Sequence, residues 1–335
     1  MVNVSRRHAL AISGGSLLLA GRASAEEAAI DESGFVAIGG IDQWIAIQGR
    51  SVRNPVILFL HGGPAEAQSP FLREFRPWEQ AFTVVNWDQR GAGKTYGRNG
   101  PTTPDMTVER MAEDAIEVAE HACRRLGKAK VILVGHSWGA LLGLHAVKRR
   151  PDLFYAFVGT GQPVTWALSL RGQEAWARQQ ASASNDQATL KKLDETAALP
   201  VTDWRRMTAG NKYRMSPSDL GYLDIQKAFI GQPPYPAKGD VADWIAGGAL
   251  AMAKLGPAIF AFDARALGLE MPIPFFVIEG RDDHVVSVEA ARAYVADVRA
   301  PAKAFVLIDG GHFALFTNPV AFIAALRRYV RPLAR

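Results

Sequence analysis

The chain has 335 residues, 48% of them hydrophobic and 21% charged, which gives a full-sized core and excludes a disordered tail, a coiled coil or a collagen-like rod. Its one cysteine, Cys123, excludes an intramolecular disulfide and any multi-cysteine metal site, and no uninterrupted apolar run reaches the about 18 residues of a membrane span. The formal charge of +5 would suit a nucleic-acid partner, but the N-terminus removes that argument.

Residues 5–10 read Ser-Arg-Arg-His-Ala-Leu, an uncharged apolar stretch runs from Ala9 to Gly21, and Ala23-Ser24-Ala25 precedes the first acid, Glu26. A basic head, a short apolar body and a small-residue exit make residues 1–25 an export signal, and Arg6-Arg7 resembles the twin-arginine type that carries folded bacterial proteins. The expected partner of the precursor is the twin-arginine export machinery, and the expected destination is periplasmic or secreted. Removing residues 1–25 takes three arginines and no acid, so the charge falls to +2 and the basic character argues for no nucleic acid.

The mature chain opens with a hairpin, Phe35–Ile38 and Ile41–Ile47 around Gly39-Gly40. Val56–Leu60, Phe82–Trp87, Val131–Val134, Phe154–Val158, Pro274–Ile278 and Ala304–Ile308 read as buried strands. Helices are predicted over Thr107–Leu126, where Thr107 can cap and Gly127 stops, and over Ala140–Arg150, Val288–Val298 and Ala321–Val330. Short apolar strands alternating with helices predict an α/β fold, a mostly parallel sheet covered on both faces. The rhythm breaks over 162–270, which has scattered tryptophans, helix-like pieces and the segment Gly231-Gln-Pro-Pro-Tyr-Pro236. That stretch is expected to be a helical lid inserted between two strands, with 26–161 and 271–335 forming the core.

Gly135-His136-Ser137-Trp138-Gly139 fits G-x-S-x-G directly after one predicted strand and before a helix, the setting of a nucleophile elbow. The glycines are needed because the turn is sharp, and the helix N-terminus favours developing negative charge. His61-Gly-Gly-Pro64 follows another strand, and its Gly63 N–H with the Trp138 N–H would form an oxyanion hole, Gly62 being the alternative if the register differs by one. Asp282 or Asp283 follows the strand at 274–278, and His312 follows the next, completing the order Ser, Asp, His. His312 would take the Ser137 proton and the carboxylate would orient its ring. Gly93-Lys94-Thr95 mimics the end of a phosphate loop, but the glycine required five places earlier is Asp88, which excludes nucleotide binding. Asp88 and Arg90 are expected to tie the loops around the oxyanion turn. His136 and His145 read as packing or surface residues, and Cys123 as buried and inert.

With these motifs assembled, the chain resembles the α/β-hydrolase superfamily and, within it, the prolyl aminopeptidase (proline iminopeptidase) family. The resemblance rests on His61-Gly-Gly-Pro64, Asp88-Gln-Arg-Gly91, Gly135-x-Ser-Trp-Gly139, Gly280-x-x-Asp283 and Gly311-His312, and it covers roughly residues 35–165 and 270–335. It implies an eight-stranded sheet, a helical cap that binds the substrate's free amino end, and Asp283 rather than Asp282 as the acid. The family usually continues HGGP with glycine, where this chain has Ala65, and it usually carries Trp-x-x-Trp-Glu in the cap, which this chain lacks. Glu174 is the candidate substitute for that glutamate in holding the substrate amine. The expected function is a serine hydrolase, first an aminopeptidase releasing N-terminal proline or a small apolar residue from short peptides. An esterase or lactonase on small apolar esters is the alternative, and a non-catalytic hydrolase-like binder the remote one. Epoxide hydrolase or dehalogenase chemistry is disfavoured, since it wants a carboxylate at 137. No cofactor, metal, nucleic acid or membrane span is expected, and the partner is a small molecule or short peptide.

Overall fold

Val56–Leu60 and Val131–Val134 are uninterrupted apolar runs because both of their faces are covered. The computed structural model, which describes residues 28–229 and 238–334, places them in the middle of one eight-stranded sheet. Its strands are β1 (Ile30–Ile38), β2 (Ile41–Gly49), β3 (Val56–Leu60), β4 (Thr83–Asp88), β5 (Val131–His136), β6 (Phe154–Thr160), β7 (Phe275–Gly280) and β8 (Lys303–Ile308), in the order β1-β2-β4-β3-β5-β6-β7-β8. β1 pairs with β2 and β2 with β4 antiparallel, and every other pairing is parallel. The export signal expected over 1–25 and the segment 231–236 lie outside the described residues.

Alternation along the strands divides the core between the two faces. Leu58, Leu60 and Leu133 pack on one side with Met111, Ala115 and Leu144. Ile57, Phe59 and Val134 pack on the other with Phe75, Trp78, Phe322 and Leu326. Phe59 and Phe75 are fully buried, a burial that stabilises by roughly 1.5–3 kcal/mol for each such side chain.

The helices are α1 (Gly93–Asn99), α2 (Val108–Leu126), α3 (Trp138–Arg149), α4 (Trp166–Ala183), α5 (Gln187–Thr196), α6 (Trp204–Thr208), α7 (Pro217–Phe229), α8 (Lys238–Ala261), α9 (Val288–Asp297), α10 (Ala314–Thr317) and α11 (Pro319–Ala325). Thr107 caps α2 by accepting from the Arg110 N–H at 3.1 Å, and Gly127 ends it in the left-handed conformation. α3 begins at Trp138 rather than Ala140, because the turn before it is tighter than an ordinary strand-to-helix link. The last helix starts at Pro319 rather than Ala321, since proline at the first position needs no N–H partner and Asn318 caps it. It then widens into a π turn over Leu326–Val330.

Helices α4 to α8 fill the interval between β6 and β7, where sequence periodicity predicts a lid. The interval starts and closes at one place: Thr165 bridges Asp263, and Ala264 N–H donates to the Val164 carbonyl at 2.9 Å. Asp240–Ala261 is long and apolar enough, by length and composition, to cross a membrane. A count of uninterrupted apolar residues misses it because Asp243 and Lys254 interrupt the run. In this fold the same helix seats on the core, where a Cβ on Gly247 would stand 2.6 Å from the Gly91 carbonyl oxygen.

Candidate active site

The turn between β5 and α3 puts Ser137 at φ 53° and ψ −116°, a strained conformation for a residue with a side chain. Its neighbours explain the two glycines. A Cβ on Gly135 would run into the Gly139 carbonyl, and one on Gly139 into the carbonyl of Leu60 on the adjacent strand. The Ser137 N–H is anchored to the Thr160 carbonyl at 2.9 Å, which leaves the side chain at the carboxyl edge of the sheet.

The loop after β3 lies against this turn. Gly63, at φ 110°, is exposed and lines a cavity of about 580 Å3 together with Ser137, Trp138 and His312. Gly62, the alternative donor, is buried and does not line it. As the first residue of α3, Trp138 has an N–H without an intrahelical acceptor, and the residue lines the same cavity.

A buried relay fixes the two turns relative to one another. Gln89 N–H donates to His61 Nε2 at 3.1 Å, and Gln89 Nε2 donates to the His61 carbonyl at 3.0 Å. Trp138 Nε1 donates to Gln89 Oε1 at 2.9 Å. Because His61 Nε2 accepts, its proton sits on Nδ1, 2.9 Å from the Gly62 carbonyl. Burial drives the His61 pKa down to about 4, so the ring stays neutral. The expected tie between the oxyanion turn and the segment 88–90 therefore exists, but Gln89 makes it rather than Asp88 or Arg90. Asp88 accepts from Ser69 and from the Lys94 N–H, while Arg90 grips Asp114 through two bonds and the Gly39 carbonyl.

Past the ends of β7 and β8, Asp283 and His312 meet. Asp283 Oδ2 accepts from His312 Nδ1 at 2.8 Å, and Asp283 Oδ1 accepts the N–H groups of Val285 and Val286 at 2.8 and 3.0 Å. Burial alone would raise the Asp283 pKa, but the neighbouring imidazole and these donors more than offset it and hold the carboxyl below its ordinary value. For His312 burial lowers the pKa, and Asp283 outweighs that, so the ring is raised above 6.5. Asp282 is exposed, so the acid in the site is Asp283. Ser137 and His312 share the cavity wall, and Ser137 Oγ makes no hydrogen bond to another described residue. Nucleophile-to-base bonds of this kind commonly tighten only around a substrate.

Several buried groups here escape the sequence reading. Asp219, on the cap helix α7, reaches back to the core and accepts the backbone N–H groups of His312 and Phe313, each at 2.9 Å. Its own geometry is set by Ser216, whose Oγ donates to Asp219 Oδ2 at 2.8 Å and accepts from the Asp219 N–H at 3.2 Å. The signal was Ser216-Pro-Ser-Asp219, a capping-box pattern at a helix start. Glu279, behind the pair, accepts from the Gly161 and Gln162 N–H groups at 2.9 and 3.0 Å. Burial, then the Asp283 charge, raises its pKa well above the ordinary range. His136, expected to be a packing or surface residue, is buried and packed 4.7 Å from the His312 ring, with Nε2 3.0 Å from the His312 carbonyl. Burial holds it neutral, with a pKa of about 3.

Glu174 does not serve as expected. Arg206 holds both of its oxygens, at 2.7 and 3.0 Å, and it does not line the cavity. A carboxylate already paired with a guanidinium is a poor second partner for an amine. The charged side chains that do line the cavity with His312 are Glu66 and Arg214, among walls contributed by Trp166, Met207, Met252 and Phe260. Among the described residues no cluster of three or more His, Cys, Asp or Glu side chains is arranged to hold a metal ion.

Residues 55–319 match the family model described as alpha/beta hydrolase fold. Over 316 residues the chain is 29% identical to the probable aminopeptidase YbaC of Bacillus subtilis, an alignment that spans 88% of this chain and 95% of that one. Over 118 residues it is 36% identical to a probable proline iminopeptidase of Streptomyces coelicolor, spanning 34% and 36% of the two chains. Among solved structures it is similar to the proline iminopeptidase of Mycobacterium smegmatis, with a TM-score of 0.62 at 18% identity over 90% of this chain and 99% of that one.

Proposed function

We propose, from the premise that this chain belongs to the α/β-hydrolase fold family, that it is a serine aminopeptidase releasing N-terminal proline or a small apolar residue from short peptides. The observation that carries the chemistry is the Asp283–His312 hydrogen bond at 2.8 Å, opening onto the cavity where Ser137 stands on its strained turn.

In this reading His312 Nε2 takes the Ser137 hydroxyl proton as Oγ bonds to the substrate carbonyl carbon. The carbonyl oxygen becomes an oxyanion held by the Gly63 and Trp138 N–H groups. Collapse breaks the C–N bond, and His312 returns the proton to the departing amine. Water then adds to the acyl-enzyme, giving its proton to His312, and the second collapse restores the Ser137 hydroxyl and frees the acid. Asp283 stabilises the imidazolium in both halves.

The peptide substrate is supported by the length of the likeness to the Bacillus subtilis protein, named a probable aminopeptidase. The mostly apolar cap wall favours an esterase as the second reading. The proposal also has the precursor exported through the twin-arginine route by its N-terminal signal.

A fluorophosphonate probe should label the wild type and not Ser137→Ala. An N-terminally free prolyl anilide should be cleaved faster than the same compound acylated on nitrogen. Equal rates on the two would end the aminopeptidase reading and leave the esterase one. A folded protein without labelling would end the serine-hydrolase reading and favour a binder.

A further inference from the structure

The cavity carries one carboxylate and one guanidinium that do not touch each other. Glu66 has no hydrogen bond or ion pair to its carboxylate among the described residues, although it lies in the loop that carries Gly63. The point where a Cβ of Gly62 would sit is 3.0 Å from Glu66 Oε2 and 3.3 Å from Ser137 Cβ, so the acid stands beside the serine. Arg214 lines the same cavity from the cap, half-buried, with a buried Nε that finds no acceptor among the described residues. Its position is not loose. It lies two residues before Ser216, which with Asp219 fastens α7 to the backbone of His312.

A partly desolvated charge without a counter-charge is unfavourable, and a site that keeps two of opposite sign is complementary to a ligand that brings both. We infer that this cavity selects di- and tripeptides with both ends free, Glu66 holding the α-ammonium and Arg214 the terminal carboxylate. The inference rests on the aminopeptidase reading and names its substrate class.

Covalent geometry assigns the ends. An α-nitrogen is two bonds, about 2.5 Å, from the carbonyl carbon under attack, so its anchor must sit beside the nucleophile. Glu66 meets that condition. A carboxylate there also faces the oxygen that gains negative charge, and it opposes the reaction unless a cation neutralises it. The substrate's ammonium does both jobs, whereas an N-acylated substrate leaves the repulsion in place. Burial raises the Glu66 pKa, with His312 lowering it in part, and a bound ammonium favours the ionised form further. The far carboxylate of a dipeptide lies about 7 Å from its amine in an extended chain, and that of a tripeptide about 10 Å. A planar guanidinium lining the same cavity from between α6 and α7 offers the paired N–H donors that a carboxylate accepts.

The test uses Pro-Ala and Ala-Ala, each as the free dipeptide, its C-terminal amide and its N-acetyl form, with wild type, Glu66→Gln and Arg214→Gln. Amidation is expected to lower wild-type kcat/KM at least tenfold, mainly through KM, and to cost Arg214→Gln less than threefold. Acetylation is expected to lower wild-type kcat/KM at least tenfold and to cost Glu66→Gln far less. Arg214→Lys should restore part of the preference for the free carboxylate. Wild type that cleaves a dipeptide and its amide equally overturns the inference and leaves the aminopeptidase reading intact. Equal cleavage of free and acetylated forms removes both. Selectivity that survives undiminished in the two variants overturns the assignment of residues, and failure of unlabelled, probe-reactive wild type to cleave either dipeptide overturns the inference. The wild-type comparisons do not depend on whether the variants fold.

Discussion

The backbone N–H of His312 donates to a carboxylate that belongs to the cap: Asp219 Oδ2 accepts it at 2.9 Å, and Asp219 Oδ1 takes the next N–H, that of Phe313, at the same distance. The acid is fully buried, and charge-assisted bonds of this kind contribute roughly 1.5–3 kcal/mol each. Asp219→Ala should therefore lose stability by about 2–4 kcal/mol and lower kcat by an order of magnitude or more, as the loop carrying the imidazole relaxes. Thermal unfolding with single-turnover kinetics checks this. Unchanged kcat in a folded variant would show that the loop holds its shape without the cap.

The pH dependence follows from the raised His312 pKa. A general base works only when neutral, so kcat/KM should fall on the acid side with a midpoint above 6.5, the imidazole's ordinary value. The stability contribution has the opposite sense. A pKa raised in the folded state stabilises fully below the unfolded value and is lost as pH rises through the folded one. Asp283→Asn removes the charge that raises His312, so its acid limb should move down while kcat falls on the order of 10^3–10^4. A limb that stays in place would show that another carboxyl, Asp219 or Glu66, sets the imidazole.

Gln89 is predicted to matter although it does not line the cavity. Gln89→Leu keeps the backbone N–H that His61 Nε2 accepts but strips the side-chain partners from the His61 carbonyl and Trp138 Nε1 inside the core, at a cost of about 1–3 kcal/mol for each orphaned group. Since these residues flank both proposed oxyanion donors, kcat should fall more than KM rises. Pre-steady-state acylation rates of the variant would report it.

Glu174→Gln provides the contrast. Its ion pair with Arg206 is about one-fifth exposed on each side and should contribute only about 0.5–1 kcal/mol. The melting temperature should drop slightly and kcat/KM should stay unchanged. A loss of free-amine selectivity in this variant would return Glu174 to the substrate amine.

The sheet was legible in the sequence because strands buried on both faces leave continuous apolar runs. Val131–Val134 and Val56–Leu60 could be read without neighbours, and so could the glycines that mark the turn at Ser137. Asp283 and His312 were legible as residues past strand ends. Glu174 was misjudged because a carboxylate in a helical cap reveals its partner only through packing, here Arg206 from 32 positions further on. Asp219 was missed for the related reason that a capping pattern announces a helix start but not the backbone it faces. His136 could be read as packing, but not its partner, the His312 carbonyl, which lies 176 positions away.

The 2.9 Å bond between Ala264 N–H and the Val164 carbonyl has a consequence for engineering. Two chain ends that already meet can be joined directly, so excision of residues 166–261 with a two- or three-residue turn in their place would ask the remaining scaffold for almost no loop-closure entropy. Such a miniature would keep Asp283 and the elbow yet expose the imidazole loop to water, and it would separate how much rate comes from the scaffold alone and how much from enclosure. The same junction offers a graft point at which foreign enclosures, each bringing its own carboxylate for the loop at 312, could be exchanged to retarget the enzyme.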